Sequence, residues 1–113
     1  MALTVVELTD SLSHVALDGQ LTMMGVDRLS GQFYEHVIGR EVDAIVDLSE
    51  MSFIASAGIG MLLDARKQLQ RHDASVILLA PQPAVEQTLT TARLDKVFPI
   101  VKTLDEAKEF LAK

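Results

Sequence analysis

Residues 45–63, IVDLSEMSFIASAGIGMLL, pass from strand chemistry to helix chemistry within a single stretch. Val42-Asp43-Ala44-Ile45-Val46-Asp47-Leu48 is a largely apolar run of strand length, as expected of a strand buried on both faces. From Ser56 the period changes. Ile59, Leu62, Leu63 and Leu69 fall on one helical face while Asp64, Lys67, Gln68 and Arg71 face away, so Ser56–Gln70 is read as a helix closed by His72-Asp73. A buried strand feeding a helix points to an α/β domain.

The pattern extends in both directions. Residues 3–8 and 13–18, rich in Val, Leu and Thr, read as two strands joined by a tight turn at Thr9-Asp10-Ser11. Gly19 and Gly25 break that pattern. Val26, Leu29, Phe33 and Val37 then recur at near-helical spacing until Gly39, which predicts a helix over 26–38. Beyond the central helix come a buried strand at 75–80, a short helix Pro83–Thr91 with proline in its first turn, and a last strand at 97–101. The closing helix, Leu104–Leu111, is expected to turn Leu104, Ala107, Phe110 and Leu111 inward, with Asp105, Glu106, Lys108, Glu109 and Lys113 outward. The expected fold is a mixed β-sheet flanked by helices in the order β-β-α-β-α-β-α-β-α, one domain over residues 1–113, since a chain of this size buries roughly two-thirds of its unfolded surface.

Composition narrows the function. With 49% hydrophobic and 23% charged residues the chain has the make-up of a soluble folded module. It has no cysteine, which removes disulfides, zinc-thiolate sites and thiol nucleophiles. A net charge of −6 with no Lys/Arg cluster disfavours nucleic acid. No apolar run approaches the roughly 20 residues of a membrane span, and the N-terminal residues lack the basic start and long apolar core of a signal peptide, so a cytoplasmic protein is expected.

Ser56 is the residue to explain. As a hydrolase nucleophile it would need glycine two positions before it, where Ile54 stands, and a histidine partner better placed than His14, His36 or His72. As a helix N-cap its hydroxyl would accept from a first-turn backbone NH, worth about 1 kcal/mol. That role leaves Gly58 and Gly60 unexplained, because each weakens a helix by up to about 1 kcal/mol relative to alanine. Either the helix packs tightly on a strand there, or another surface approaches closely. As a phosphoacceptor, Ser56 would place a phosphate at a helix N-terminus, where the fold tolerates it while the surface gains about 1.5 to 2 negative charges. Asp47 offers a different chemistry. It ends a buried strand and Lys102 follows the last one, as in response-regulator receivers, yet Glu7 and Asp10 precede another strand, and a loop-capping Asp47 explains the residue more simply. Met23 and Met24, beside Gly25, are either an adaptable contact surface or core.

Three segments together resemble the STAS family, named for sulphate transporters and anti-sigma factor antagonists: LDGQL at 17–21, IVDLSEMSFIASAGIGMLL at 45–63, and VILLAPQPAVEQTL at 76–89. The resemblance covers nearly the whole chain. It implies a protein that is not an enzyme, an anti-sigma factor antagonist whose Ser56 matches the family's phosphoacceptor. It further implies a partner serine kinase, a histidine-kinase-like ATPase that doubles as an anti-sigma factor, bound when Ser56 is unphosphorylated and released on phosphorylation, and a phosphatase that reverses the step. The partner surface would comprise Thr22, Met23, Met24 and Gly25, the loop from Asp47 to Ser49, and Ala57, Gly58, Gly60 and Met61. Where the family commonly has Asp before the phosphoacceptor and Ser or Thr after it, this chain has Ala55 and Ala57; where it has an Asp in the early loop, this chain has Thr22. The nucleotide would belong to the kinase, since no G-x-x-x-x-G-K-[ST] motif is present here and no cofactor is expected. Within the same family, a subunit docking constitutively on a lipid-transport ATPase would use the same face without phosphorylation.

Overall fold

A strand buries consecutive residues only where both its faces are covered, and Ala44-Ile45-Val46 and Val76-Ile77-Leu78-Leu79 are buried throughout. The computed structural model, which describes residues 1–112, shows what covers them. In chain order the elements are β1 (Ala2–Leu8), β2 (Leu12–Leu21), α1 (Met23–His36), a 3-10 turn at Ile38–Arg40, β3 (Asp43–Asp47), β4 (Met51–Ile54), α2 (Ser56–Gln70), β5 (Val76–Leu79), α3 (Pro83–Thr91), a 3-10 turn at Leu94–Lys96, β6 (Ile100–Val101) and α4 (Leu104–Leu111). The strands form one mixed sheet in the order β1-β2-β3-β5-β6, with β4 pairing the far half of β2. Only the β1–β2 hairpin is antiparallel; β3, β4, β5 and β6 all join in parallel.

Helices α1, α2 and α3 cover one face through Leu29, Phe33, Leu62, Leu69, Val85 and Leu89, which pack with Val15, Leu17, Val46 and Leu78 of the sheet. Helix α4 covers the other face over Ile45, Ile77 and Leu79. The Arg40 guanidinium fixes the hairpin to the 3-10 turn after α1, donating to the Leu12 carbonyl at 2.8 Å, to Ser13 Oγ at 2.7 Å and to the Thr9 carbonyl.

The expected class and order of elements hold, with β4 as an additional short strand. Its Met51-Ser52-Phe53-Ile54 leads directly into α2, and its pairing with Gly19–Leu21 extends β2 past the point where Gly19 was expected to end it. Gly19 keeps its place in the strand at φ +86°, a conformation that side chains avoid. Helix α1 begins three residues earlier than its apolar repeat, because the Thr22 hydroxyl accepts from the Gly25 amide and caps it. Gly25 is thus inside the helix, where a β-carbon would meet the Gln20 carbonyl at 2.8 Å. The strand expected at 97–101 shrinks to Ile100–Val101. Pro99 has no NH for a ladder, and the chain at Val97-Phe98 turns to bury Phe98 instead. Two apolar residues expected inside, Leu63 and Phe110, are exposed; α2 buries Gly58, Leu62, Ala65 and Leu69, and α4 buries Ala107. Lys113 lies outside the described residues.

Candidate functional site

Parallel pairing of β2 with β4 places two helix N-termini side by side. Leu21 pairs with Ile54, the Ala55 amide continues the ladder by donating to the Leu21 carbonyl at 3.0 Å, and each strand then enters its helix two residues beyond the pair, at Met23 and at Ser56. Since neighbouring strands run about 4.8 Å apart, the starts of α1 and α2 form one tip at the carboxyl end of the parallel strands.

Ser56 is exposed on that tip and does not cap its helix. Ala55 occupies the N-cap position at φ −99° and ψ 174°, no side chain accepts from the first-turn NH groups, and Ser56 is the first helical residue. The expected capping role therefore falls away: Ser56 stands one position too late for it. The first turn of α2 keeps its uncapped NH groups pointing past an uncommitted hydroxyl. The two glycines separate in function. A β-carbon on buried Gly58 would lie 2.6 Å from Leu21 Cγ and 3.0 Å from Ile54 Cγ1, so glycine there lets α2 sit against the strand ends. Nothing lies within 4 Å of the same position on Gly60, which is exposed one turn after Ser56. Its missing side chain serves no internal packing and leaves the helix surface beside the hydroxyl bare.

Met23 and Met24, the first two residues of α1, are each 69% exposed, which resolves their reading against core packing. Ala57 and Met61 are half-buried. Phe53, 49% exposed on β4, is a large apolar residue at this end of the sheet that the sequence reading passes over, because it sits in an apolar run that looks like the lead-in to a helix. The run of buried Met51, exposed Ser52 and Phe53, and buried Ile54 does not alternate and is too short to announce a strand.

The loop from Asp47 to Ser49 starts behind the tip and runs toward it, the Glu50 carbonyl accepting from the Gly19 amide at 3.0 Å. Asp47 pairs with Ala16, five residues before Leu21, which is about 16 Å along the strand at about 3.3 Å per residue. Its polar groups are used internally: an Asp47 carboxylate oxygen accepts from the Ser49 amide at 2.8 Å, and the Ser49 carbonyl accepts from Gln82 Nε2 at 2.7 Å. Asp47 closes its loop, as the simpler reading has it. The histidines are remote from Ser56. His14 lies seven residues before Leu21 on β2, about 23 Å back; His72 follows the far end of α2 and meets Glu41 at 2.8 Å; His36 meets Glu35 at 3.5 Å. No Ser-His pair for a hydrolase forms. His14 is buried on β2, its Nε2 without a hydrogen-bond partner, and burial lowers its pKa against the opposing pull of Asp47 and Glu7. Among the described residues no helix is long and apolar enough to cross a membrane.

The sequence profile of the STAS domain matches residues 4–107. The chain belongs to the STAS domain family. BtrV of Bordetella bronchiseptica, described as an anti-sigma factor antagonist, is 23% identical to it over 98 residues, spanning 87% of this chain and 84% of BtrV. An anti-sigma factor antagonist from Mycobacterium paratuberculosis superposes with a TM-score of 0.83 at 26% identity, covering 99% of this STAS chain and 96% of that one. The unphosphorylated form of the anti-sigma factor antagonist SpoIIAA shares the fold, with a TM-score of 0.82 at 22% identity, over 98% of this chain and 96% of that one.

Proposed function

We propose that this STAS protein is a cytoplasmic anti-sigma factor antagonist that works by partner switching, with Ser56 as its phosphoacceptor. Unphosphorylated, the tip made by Thr22, Met23 and Met24 together with Ser56, Ala57, Gly60 and Met61, seated on the buried Gly25 and Gly58, binds an anti-sigma factor of the histidine-kinase-like ATPase type, displacing that partner's client. The partner phosphorylates Ser56 and lets go; a phosphatase restores the binding form.

The observation that carries this reading is the exposed, uncommitted Ser56 hydroxyl at the start of α2, beside a Gly60 whose bareness no internal contact requires. A phosphoryl group on Ser56 would face the uncapped first-turn NH groups and the positive end of the helix dipole, so the fold tolerates it. The partner meets it differently. A surface shaped to close on a neutral serine and a bare helix gains about 1.5 to 2 negative charges, and every 1.4 kcal/mol of resulting mismatch is about tenfold in affinity. The alanines at 55 and 57 leave Ser56 as the only hydroxyl in its segment of the tip and remove the acidic neighbour usual in the family.

The test is an affinity capture from extracts with paired Ser56→Ala and Ser56→Asp baits. Strong retention of a histidine-kinase-like ATPase by the alanine bait and weak retention by the aspartate bait is the expected outcome. Equal retention of one protein by both baits would replace the switch with constitutive docking, and a lipid-transport ATPase among the retained proteins would identify the assembly.

A further inference from the structure

The chain has five methionines and no cysteine, so an oxidant that reaches it finds no thiol to react with first. The methionines are unequally placed. Met51 is fully buried in the core and Met1 and Met61 are half-buried, whereas Met23 and Met24 are each 69% exposed and adjacent at the start of α1. An exposed apolar pair at a helix start contributes nothing to the core, and the β2–β4 pairing sets it beside Ser56, on the tip rather than elsewhere on the surface.

We infer that Met23 and Met24 form an oxidation-sensitive site that loosens the partner complex independently of phosphorylation. The inference rests on the docking role proposed for this tip. A peroxide oxidant transfers one oxygen atom to the thioether: the sulfur loses two electrons and forms an S–O bond, the peroxide O–O bond breaks, and the other oxygen leaves as water. The product is a methionine sulfoxide, a polar and chiral group where a flexible apolar one stood, and methionine sulfoxide reductases reverse it. Buried at an interface without a hydrogen-bond partner, the sulfoxide carries a desolvation penalty that the thioether does not. The expected loss is about tenfold or more in affinity. The fold is spared because neither side chain is part of the core, so the oxidised protein stays folded while its docking surface changes.

The experiment treats the full chain with hydrogen peroxide and follows each methionine by peptide mass spectrometry, then measures binding of the ATPase retained by the Ser56→Ala bait before oxidation, after it, and after reduction by methionine sulfoxide reductases. Expected are oxidation of Met23 and Met24 ahead of Met61 and Met51, an unchanged circular dichroism spectrum, weakened binding that reductase restores, and a Met23→Leu/Met24→Leu protein whose own level of binding does not change with peroxide. Oxidation of Met51 or Met61 as fast as the pair, or selective oxidation with unchanged binding, overturns the inference alone. Failure of the unoxidised Ser56→Ala bait to retain any ATPase overturns the docking reading beneath it, and the redox site with it.

Discussion

Alanine at Gly58 and at Gly60 should have opposite effects on stability, although both positions lie in the first two turns of α2. Each substitution gains the same intrinsic helix preference, up to about 1 kcal/mol. At Gly60 nothing opposes that gain, since the added methyl meets no atom within 4 Å, and stabilisation of about 0.4–1 kcal/mol is expected. At Gly58 the methyl would stand 2.6 and 2.7 Å from Leu21 Cγ and Cδ2 and 3.0 Å from Ile54 Cγ1. Leu21 is fully buried and Ile54 nearly so, so neither side chain has free space into which to swing. Overpacking of this kind costs about 1–3 kcal/mol. Because the helix gain cancels between the two variants, the difference between them isolates the overpacking: Gly58→Ala should be less stable than Gly60→Ala by about 1–3 kcal/mol, or about 4 °C in Tm per kcal/mol for a domain of this size. Urea unfolding followed by circular dichroism measures it, with an unchanged m-value confirming that the comparison is of native-state stability. Equal stabilities, or a more stable Gly58→Ala, would refute the close seating of α2 on the β2 and β4 ends and with it the geometry of the tip.

Thr22→Ala removes the acceptor of the Gly25 amide and should cost about 1 kcal/mol in thermal unfolding, where a Thr22→Ser protein should lose little. His14 gives the chain a pH-dependent stability. Burial lowers its pKa, with Lys108 adding slightly and Asp47 and Glu7 opposing, so below its ordinary value of about 6.5 the unfolded chain binds the proton more readily. Stability is expected to fall as pH drops through about 6.5 toward the folded-state value, by at most about 1.4 kcal/mol per pH unit from this group, and a His14→Leu protein should show a flatter profile in that window. A Gly60→Glu protein should fold normally, since the position is open, yet lose retention of the ATPase, as the Ser56→Asp bait does.

What could be read from the residues alone was the alternation itself. The apolar run before Ser56 and the 3.6-residue spacing after it place β3 and α2 without ambiguity, and Pro83 marks the start of α3. The misreadings all concern tertiary contacts. Ser56 looks like a cap because serine favours that position, but which residue is the cap depends on where the β4 pairing ends, and that pairing carries the chain to Ala55. Gly25 looks like a helix breaker, whereas the Gln20 carbonyl against it explains why only glycine fits inside the turn. Gly58 and Gly60 are chemically identical in the sequence; only the neighbours Leu21 and Ile54 distinguish the packing glycine from the bare one. Met23, Met24 and Phe53 follow the same logic, since an apolar residue at a strand or helix end carries no mark of which side it faces. The loop at Asp47 to Ser49 shortly precedes Ser56 in sequence, yet its first residue pairs with Ala16 and stands behind the tip, because β4 lies between them.

The most direct test of the account is the fate of the phosphoryl group. The ATPase retained by the Ser56→Ala bait is incubated with the unmodified protein and magnesium ATP, and the product is mapped by peptide mass spectrometry before and after hydroxylamine treatment. The account predicts one phosphoryl group on Ser56, resistant to hydroxylamine, with the complex dissociating as it accumulates. A label on Asp47 that hydroxylamine removes, or a stable complex with no transfer to Ser56, would contradict it.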